Sequence, residues 1–376
     1  MKLLILTNDF PPMSGGMAQY SYGIAKGLTE LGEEIIVLVP QIKGDLEFDR
    51  KQKFKIIRMG VPRTYTGKII VMFFYLSYIF VRYRVKRILA TTWSPCGFVA
   101  FLFSRLFKTP YFVSAHGLDI LEPQRSPKYT KLMRRTLNGA VKILPNSNFT
   151  KSKLIEFGIS GKRIIVIPDG TDPIRFNPNI DSSEIKERFH LQDKKVILTV
   201  GRLMERKGHD MVIQSLPQVL ERIPSIVYLI AGKGPEEKRL KKLVKDLDLE
   251  EKIIFAGFVS DENLPKYYSA CNLFIMPSRE MKEEGDVEGF GIVYLEANAC
   301  GKPVIGGRSG GVEDAIIDGV TGLLVDPSSK GEISQSLIRL LKDEKLVIQL
   351  GKNGRKRVER ELNWENITER IRNEIV

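Results

Sequence analysis

Short, continuously apolar runs alternate along this chain with longer segments in which apolar residues return every three or four positions. Runs at Lys2–Thr7, Glu34–Val39, Phe54–Met59, Ile88–Thr92, Tyr111–Ala115, Val141–Leu144 and Ile164–Ile167 read as strands of a first half. Those at Val196–Val200, Ile226–Ala231, Lys252–Ala256, Leu273–Met276, Pro303–Ile305 and Leu323–Val325 read as strands of a second. Strands that are apolar on both faces and separated by helices predict parallel sheets covered on both sides. Two such sets predict an α/β protein of two doubly wound domains. The seam is expected at Pro168-Asp169-Gly170-Thr171-Asp172-Pro173, which is turn chemistry without periodicity. A charged helix over Ser183–Phe189 then opens the second half, and Trp364, Ile367, Ile371 and Ile375 mark a final helix. Pro217 stands inside a helical stretch and predicts a kink or break there.

Length agrees with two domains, since 376 residues divide into units of about 100–200. An apolar share of 43% with 27% charged residues excludes disordered and fibrous classes. The three cysteines are odd in number and form no CxxC pair, which excludes a disulfide scaffold and a thiolate zinc site and points to a reducing compartment. The net charge of +13 favours a polyanionic partner: nucleic acid, anionic lipid or a phosphorylated substrate. No helix-turn-helix, RNP-like or zinc signature supports nucleic acid.

The opening apolar run, Lys2–Thr7, is too short for a secretory h-region, so a cytoplasmic protein is expected. The longest apolar run, Ile69–Val81, falls short of the roughly 20 residues a membrane span needs and reads as a buried or interfacial helix. Within Lys68–Arg87 the cluster Phe73-Phe74-Tyr75 is followed by Arg82, Arg84, Lys86 and Arg87. Two readings fit: a basic amphipathic helix lying on anionic lipid, or a core helix with a solvated end.

Four stretches could carry chemistry. Ser14-Gly15-Gly16 lies between the first strand and a helix, where glycine amides can approach an anion or simply make the turn. Gly201-Arg202, with Lys207-Gly208 after it, puts two cations at the end of a predicted parallel strand. These either grip phosphate oxygens or are solvated surface charges. His116 closes a strand beside the flexible Gly117. The fourth is Asp286-Val287-Glu288-Gly289-Phe290-Gly291-Ile292, which leads into a helix bearing Glu296. If every step were helical, Glu288 and Glu296 would lie about 12 Å apart along the axis, suited to two ends of an elongated ligand. The amides of Gly289 to Ile292 would then face an anion between them, unless both carboxylates are plain surface and helix-dipole residues. Asp246-Leu247-Asp248 sits in a lysine-rich helix and reads as surface charge, and Gly232-Lys233-Gly234 lacks the third glycine of a dinucleotide fingerprint.

Along its whole length the sequence resembles retaining glycosyltransferases of family GT4. The resemblance rests on the E-x7-E spacing of Glu288 and Glu296, Asn8-Asp9-Phe10-Pro11-Pro12 with Gly15-Gly16, His116-Gly117, Gly201-Arg202 with Lys207-Gly208, and Gly310-Gly311. It is similar above all to GDP-mannose-dependent transferases of the phosphatidylinositol mannosyltransferase kind. The resemblance implies a GT-B fold, in which two Rossmann-like domains face a central cleft and the last helix crosses back to the first domain. The implied domains are 1–170 with the returning helix 358–376, for the acceptor, and 171–357, for the nucleotide-sugar donor.

It also implies roles. Gly15 and Gly16 meet the donor phosphate or the acceptor, while Arg202 and Lys207 hold the pyrophosphate and steady the departing nucleoside diphosphate. Glu288 contacts the donor sugar with Gly289, Phe290, Gly291 and Ile292 around the phosphate, Glu296 contacts the ribose, and His116 lies by the sugar. Phe258 and Val259 receive the base. The implied enzyme is a hexosyltransferase that moves mannose from GDP-mannose to a lipid-linked or saccharide acceptor by front-face attack, without metal or cofactor. It is expected in the cytoplasm, touching the inner face of an anionic membrane, and without a nucleic-acid partner. The alternatives are a UDP-sugar donor (glucose or N-acetylglucosamine) and, more remotely, a non-catalytic basic protein that binds membrane or nucleic acid.

Overall fold

The computed structural model describes residues 2–375. The chain folds into two compact units. One runs through Gly170 and takes up the chain again from Trp364; the other is Thr171–Asn363. The return to the first unit therefore starts later than 358, because residues 358–360 finish the helix Glu344–Arg360, whose Val358 is buried.

In the first unit the strands are β1 (Lys2–Leu6), β2 (Glu34–Pro40), β3 (Lys55–Met59), β4 (Arg87–Ala90), β5 (Tyr111–Ala115) and β6 (Ile143–Pro145). They form one sheet in the order β3-β2-β1-β4-β5-β6, and every pairing is parallel. The second unit repeats the plan. Its strands β7 (Lys195–Val200), β8 (Ile226–Ala231), β9 (Ile253–Gly257), β10 (Leu273–Met276), β11 (Val304–Gly307) and β12 (Gly322–Val325) lie in the order β12-β11-β10-β7-β8-β9. In both, the first strand of the unit is central, and chain order reverses beside it. That switch point is where ligands of doubly wound sheets bind, beyond the strands' carboxyl ends.

The apolar runs became strands because both faces are covered: β5 and β8 are buried throughout, and each unit has its own core. One expected strand is absent. Ile164–Ile167 lies along β6, with Ile165 N–H donating to the Ile143 carbonyl at 3.0 Å and Ile167 N–H to the Pro145 carbonyl at 2.9 Å. Continuing that ladder needs a donor at position 145, and Pro145 has no N–H, so only an isolated bridge forms. Pro217 does not break its helix, which runs His209–Leu220; it sits exposed in the last turn.

The helix Trp364–Ile375 packs on Gly16–Glu30 of the first unit. Gly23 makes room for it: a Cβ there would stand 2.3 Å from the Trp364 ring. Gly27 does the same for Thr368, at 2.5 Å. Arg372 pairs with Glu33 at 3.1 Å, and Arg370 bonds the Val166 carbonyl at 3.0 Å.

The run Lys68–Arg87 divides. The helix is Tyr65–Tyr83, and it buries Met72, Leu76 and Ile79 while leaving the opposite side exposed. Arg84 ends it in the left-handed conformation, at φ 55°. Arg87 belongs to β4 and donates to the Ile375 carbonyl, so it is not among the cations of an exposed helix.

Candidate active site

In the second unit, chain leaves the carboxyl end of β7 at Gly201 and tightens into a 3-10 turn, Glu205–Lys207. Gly208 follows in the left-handed region, at φ 74°, where a Cβ would stand 2.3 Å from the Pro277 carbonyl oxygen. Only glycine fits there, and the close approach sets the turn against the end of β10. Arg279 N–H donates to the Arg206 carbonyl at 2.8 Å, and its guanidinium grips Asp210 through both nitrogens, at 3.1 and 3.0 Å. The turn is held from both sides.

This places Arg206 and Lys207 on Glu288. Arg206 Nη1 donates to Glu288 Oε2 at 2.7 Å, Lys207 Nζ donates to the same oxygen, and Ser278 Oγ reaches it at 3.5 Å. None of the three engages Oε1. Arg206 Nε pairs in turn with Asp286 at 2.9 Å. Burial alone would raise the Glu288 carboxyl, but the Lys207 ammonium and the Arg206 guanidinium hold it down at about 2. Burial pulls Lys207 below its ordinary value, and Glu288 opposes that pull. We assign the cluster as ionised, since two cations converge on one carboxylate oxygen.

Glu288 is fixed through its backbone as well. Gly311 N–H donates to its carbonyl at 2.9 Å, and Gly310, at φ 58°, leaves the space that a Cβ would fill 2.5 Å from that oxygen. Val287 and Phe290 are buried anchors on either side. The helix Ile292–Ala299 then begins at Gly291, whose Cβ would strike the Tyr294 ring at 2.5 Å. The N–H groups of Gly289, Phe290, Gly291, Ile292 and Val293 find no acceptor among the described residues. Five donors beside a fixed carboxylate, at the start of a helix, form a cradle for an anion.

The other predicted residues fall in different places. Arg202 is exposed, and its guanidinium makes no hydrogen bond or ion pair among the described residues. Phe258, 60% exposed, and Val259 follow β9 at the same carboxyl edge. Glu296 shares no hydrogen-bond partner with Glu288. It is buried where Tyr268 donates to it at 2.7 Å. Burial raises its carboxyl to about 7, with the Tyr268 hydrogen bond working the other way. The span between the two glutamates is not helical throughout, because the first turn starts only at Ile292.

The first unit has its own constellation at the carboxyl ends of β1, β4 and β5. Gly15, at φ 133°, precedes the helix Gly16–Glu30, and the space beside it is open. His116 follows β5; its Nε2 lies 2.9 Å from the Thr91 carbonyl, and its ring meets Tyr20 edge-on at 4.6 Å. A carbonyl only accepts, so Nε2 carries the proton and Nδ1 keeps its lone pair. Burial lowers this imidazole to about 4, so it is neutral near pH 7. Asp119 accepts from the His116 N–H at 2.8 Å, while its other oxygen is buried without a partner. Burial raises that carboxyl to about 7.

Sequence reasoning missed Arg206, which the structure joins to Glu288 beside Lys207. Its only signal was adjacency to Lys207. Tyr268 gave no signal, because nothing in spacing connects it to Glu296.

A family model described as glycosyl transferases group 1 matches residues 181–357, and one described as glycosyltransferase family 4 matches 14–175. The chain is 33% identical to a GDP-mannose-dependent alpha-(1-6)-phosphatidylinositol monomannoside mannosyltransferase of Mycolicibacterium smegmatis, over 94% of this chain and 92% of that one. It is 30% identical to a GDP-mannose-dependent monoacylated alpha-(1-6)-phosphatidylinositol monomannoside mannosyltransferase of Corynebacterium glutamicum, over 99% and 97%. Among solved structures, HepE of Anabaena in complex with UDP and glucose shares the fold with a TM-score of 0.84 at 22% identity, covering 100% of this chain and 99% of that one. Sucrose-phosphate synthase of Thermosynechococcus elongatus does so with a TM-score of 0.83 at 24% identity, covering 99% and 98%.

Proposed function

Since this chain belongs to glycosyltransferase family 4, we propose that it moves mannose from GDP-mannose to a lipid-linked or saccharide acceptor, with retention at the anomeric carbon. The observation that carries the reading is Glu288, ionised in burial and held by Arg206 and Lys207 beside five unbonded amides. The activities of the relatives from Mycolicibacterium smegmatis and Corynebacterium glutamicum support mannose and GDP.

Each part has a task. Charge gathers on the leaving diphosphate as the glycosidic bond breaks, and fixed donors answer it without reorganising. Arg202, whose guanidinium has no partner among the described residues, and Lys207 take the diphosphate oxygens, and the amides of Gly289 to Val293 take the remainder. Glu288 Oε1, which no cation occupies, accepts from a sugar hydroxyl. Arg206 is a positioning residue that keeps Oε2 in place. In the first unit, His116 presents the lone pair of Nδ1, and Gly15 with Gly16 an open backbone, to an acceptor at the carboxyl ends of β1, β4 and β5. In the second, the backbone near Phe258 and Val259 receives the base. Glu296 reaches the ribose once Tyr268 releases it.

In this reading Arg202 and Lys207 answer the charge that develops on the diphosphate, so turnover is expected to continue in a chelator, without metal or cofactor. We place the protein in the cytoplasm, peripheral to the inner face of the membrane. The exposed side of Tyr65–Tyr83 supports this: with 19 residues the helix is, against the expectation from the shorter apolar run, long and apolar enough to cross a membrane by length and composition, while its buried Met72, Leu76 and Ile79 join the core of its unit.

A nucleotide-binding screen of GDP against UDP and ADP tests the donor, and a UDP preference would move the reading to a UDP-sugar transferase. Transfer assays with labelled GDP-mannose test the chemistry. An Arg202→Ala/Lys207→Ala double variant is expected to lose about a thousandfold or more in kcat/KM. Normal turnover in that variant would remove the diphosphate assignment.

A further inference from the structure

Three helices of the first unit share an outer layer: Tyr65–Tyr83, Phe98–Phe107 and Pro127–Gly139. Not one Asp or Glu occurs in any of them. Between the second and third lies a concavity of about 700 Å³, lined by Phe101, Arg105, Lys131, Arg134, Arg135 and Asn138. All four cations are exposed, and Arg105, Lys131 and Arg135 have no ion-pair partner among the described residues. Arg134 rests over the Phe157 ring, 5.0 Å from its centre. Gly139 keeps the two helices close, since a Cβ there would stand 2.5 Å from the Tyr111 hydroxyl and 2.9 Å from the Phe101 ring. Three unpaired cations, with Arg134 held against the Phe157 ring and carbonyl, give this hollow a positive potential that favours an anion.

The neighbouring surface is apolar. Ile70, Phe74, Tyr78 and Val81 recur along one side of Tyr65–Tyr83 and are 50%, 69%, 57% and 77% exposed. Phe80 meets Phe107 at 5.5 Å and so joins this stripe to the next helix, where Leu106 is 68% exposed. The three helices run into the amino ends of β4, β5 and β6, so Arg82, Arg84, Arg105, Arg134 and Arg135 gather at the pole of the sheet away from His116 and Gly15.

We propose that the concavity binds the phosphate of an anionic phospholipid in a bilayer, with the stripe of Ile70, Phe74, Tyr78 and Val81 entering the interface beside it. An apolar stripe flanked by unpaired cations matches the two layers of an anionic membrane surface. This rests on the peripheral location proposed above and adds the headgroup site, distinct from the helix cations Arg82 and Arg84.

The test is sedimentation of the full chain with phosphatidylcholine vesicles, with and without 30% phosphatidylglycerol. Arg105→Gln/Arg135→Gln is expected to lower partitioning onto the anionic vesicles about 30-fold, while Lys238→Gln/Lys245→Gln, the same loss of charge on the exposed helix Glu237–Asp246 of the second unit, lowers it fivefold or less. Equal losses would mean that net charge alone is at work and would overturn the site. Millimolar inorganic phosphate is expected to leave the protein on the vesicles. Release by it would assign the hollow to a free phosphate and overturn the lipid. If the unaltered chain binds neither vesicle, the proposed location and the site fall together. Unchanged thermal midpoints in both variants, whose residues are exposed, confirm that folding is not what is being read.

Discussion

At the scale of single residues, the site depends on one carboxylate oxygen shared by two cations while the other is kept clear. Asp286 enforces this at one remove, because it fixes the guanidinium that fixes Glu288. Asp286→Asn should lower kcat by about tenfold with little change in KM for the donor, a split that loss of a direct substrate contact would not give. Spacing in the sequence made Glu288, Lys207 and the glycines legible. It singled out Arg202 and passed over Arg206, whose place on Glu288 is made by a 3-10 turn that Gly208 and Pro277 press against β10. Glu296 carries a prediction of opposite sign to Glu288. Its carboxyl is raised by burial from an ordinary 4.5 to about 7, so its contribution to stability is complete below about 4.5 and disappears as pH rises through 7. Glu296→Gln should therefore match the parent midpoint at pH 4.5 and exceed it by about 5 °C at pH 8, by calorimetry. Glu288, held down at about 2, contributes fully above about 4.5 and loses that contribution as pH falls through 2.

At the scale of elements, the strands were readable because parallel strands buried on both faces must be apolar throughout, and that pattern survives any tertiary context. Ile164–Ile167 had the same pattern and failed for a reason located in another segment, the missing donor of Pro145. The sequence also showed the periodicity of Trp364–Ile375 but not its seat, which Gly23 and Gly27 create on a distant helix. Either glycine replaced by alanine would force a methyl into Trp364 or Thr368. Each should destabilise the first unit by about 1–3 kcal/mol, read from denaturant midpoints, with the second unit's transition unmoved. The run Lys68–Arg87 illustrates the same limit: its amphipathic character was visible, whereas its division at Arg84 into helix and strand depended on β4 pairing with β1.

At the scale of the whole molecule, two sheets of identical strand order differ in how the chain builds them. The second unit is one unbroken stretch, Thr171–Asn363, with a separate core. The first is closed by a helix that arrives after the second has been traversed. A fragment Thr171–Asn363 should accordingly fold and bind nucleotide on its own, as judged by a cooperative melt and by calorimetric titration. A fragment ending at Gly170 should not melt cooperatively, for the groove over Gly23 and Gly27 would be bare. The same order of assembly governs birth on the ribosome. About 190 residues separate Gly170 from Trp364, and at roughly 5–20 residues per second they take about 10–40 s to emerge. Throughout that interval the nascent first unit waits with its groove uncovered, an opening for chaperones and a hazard for aggregation that ends only when the final helix docks.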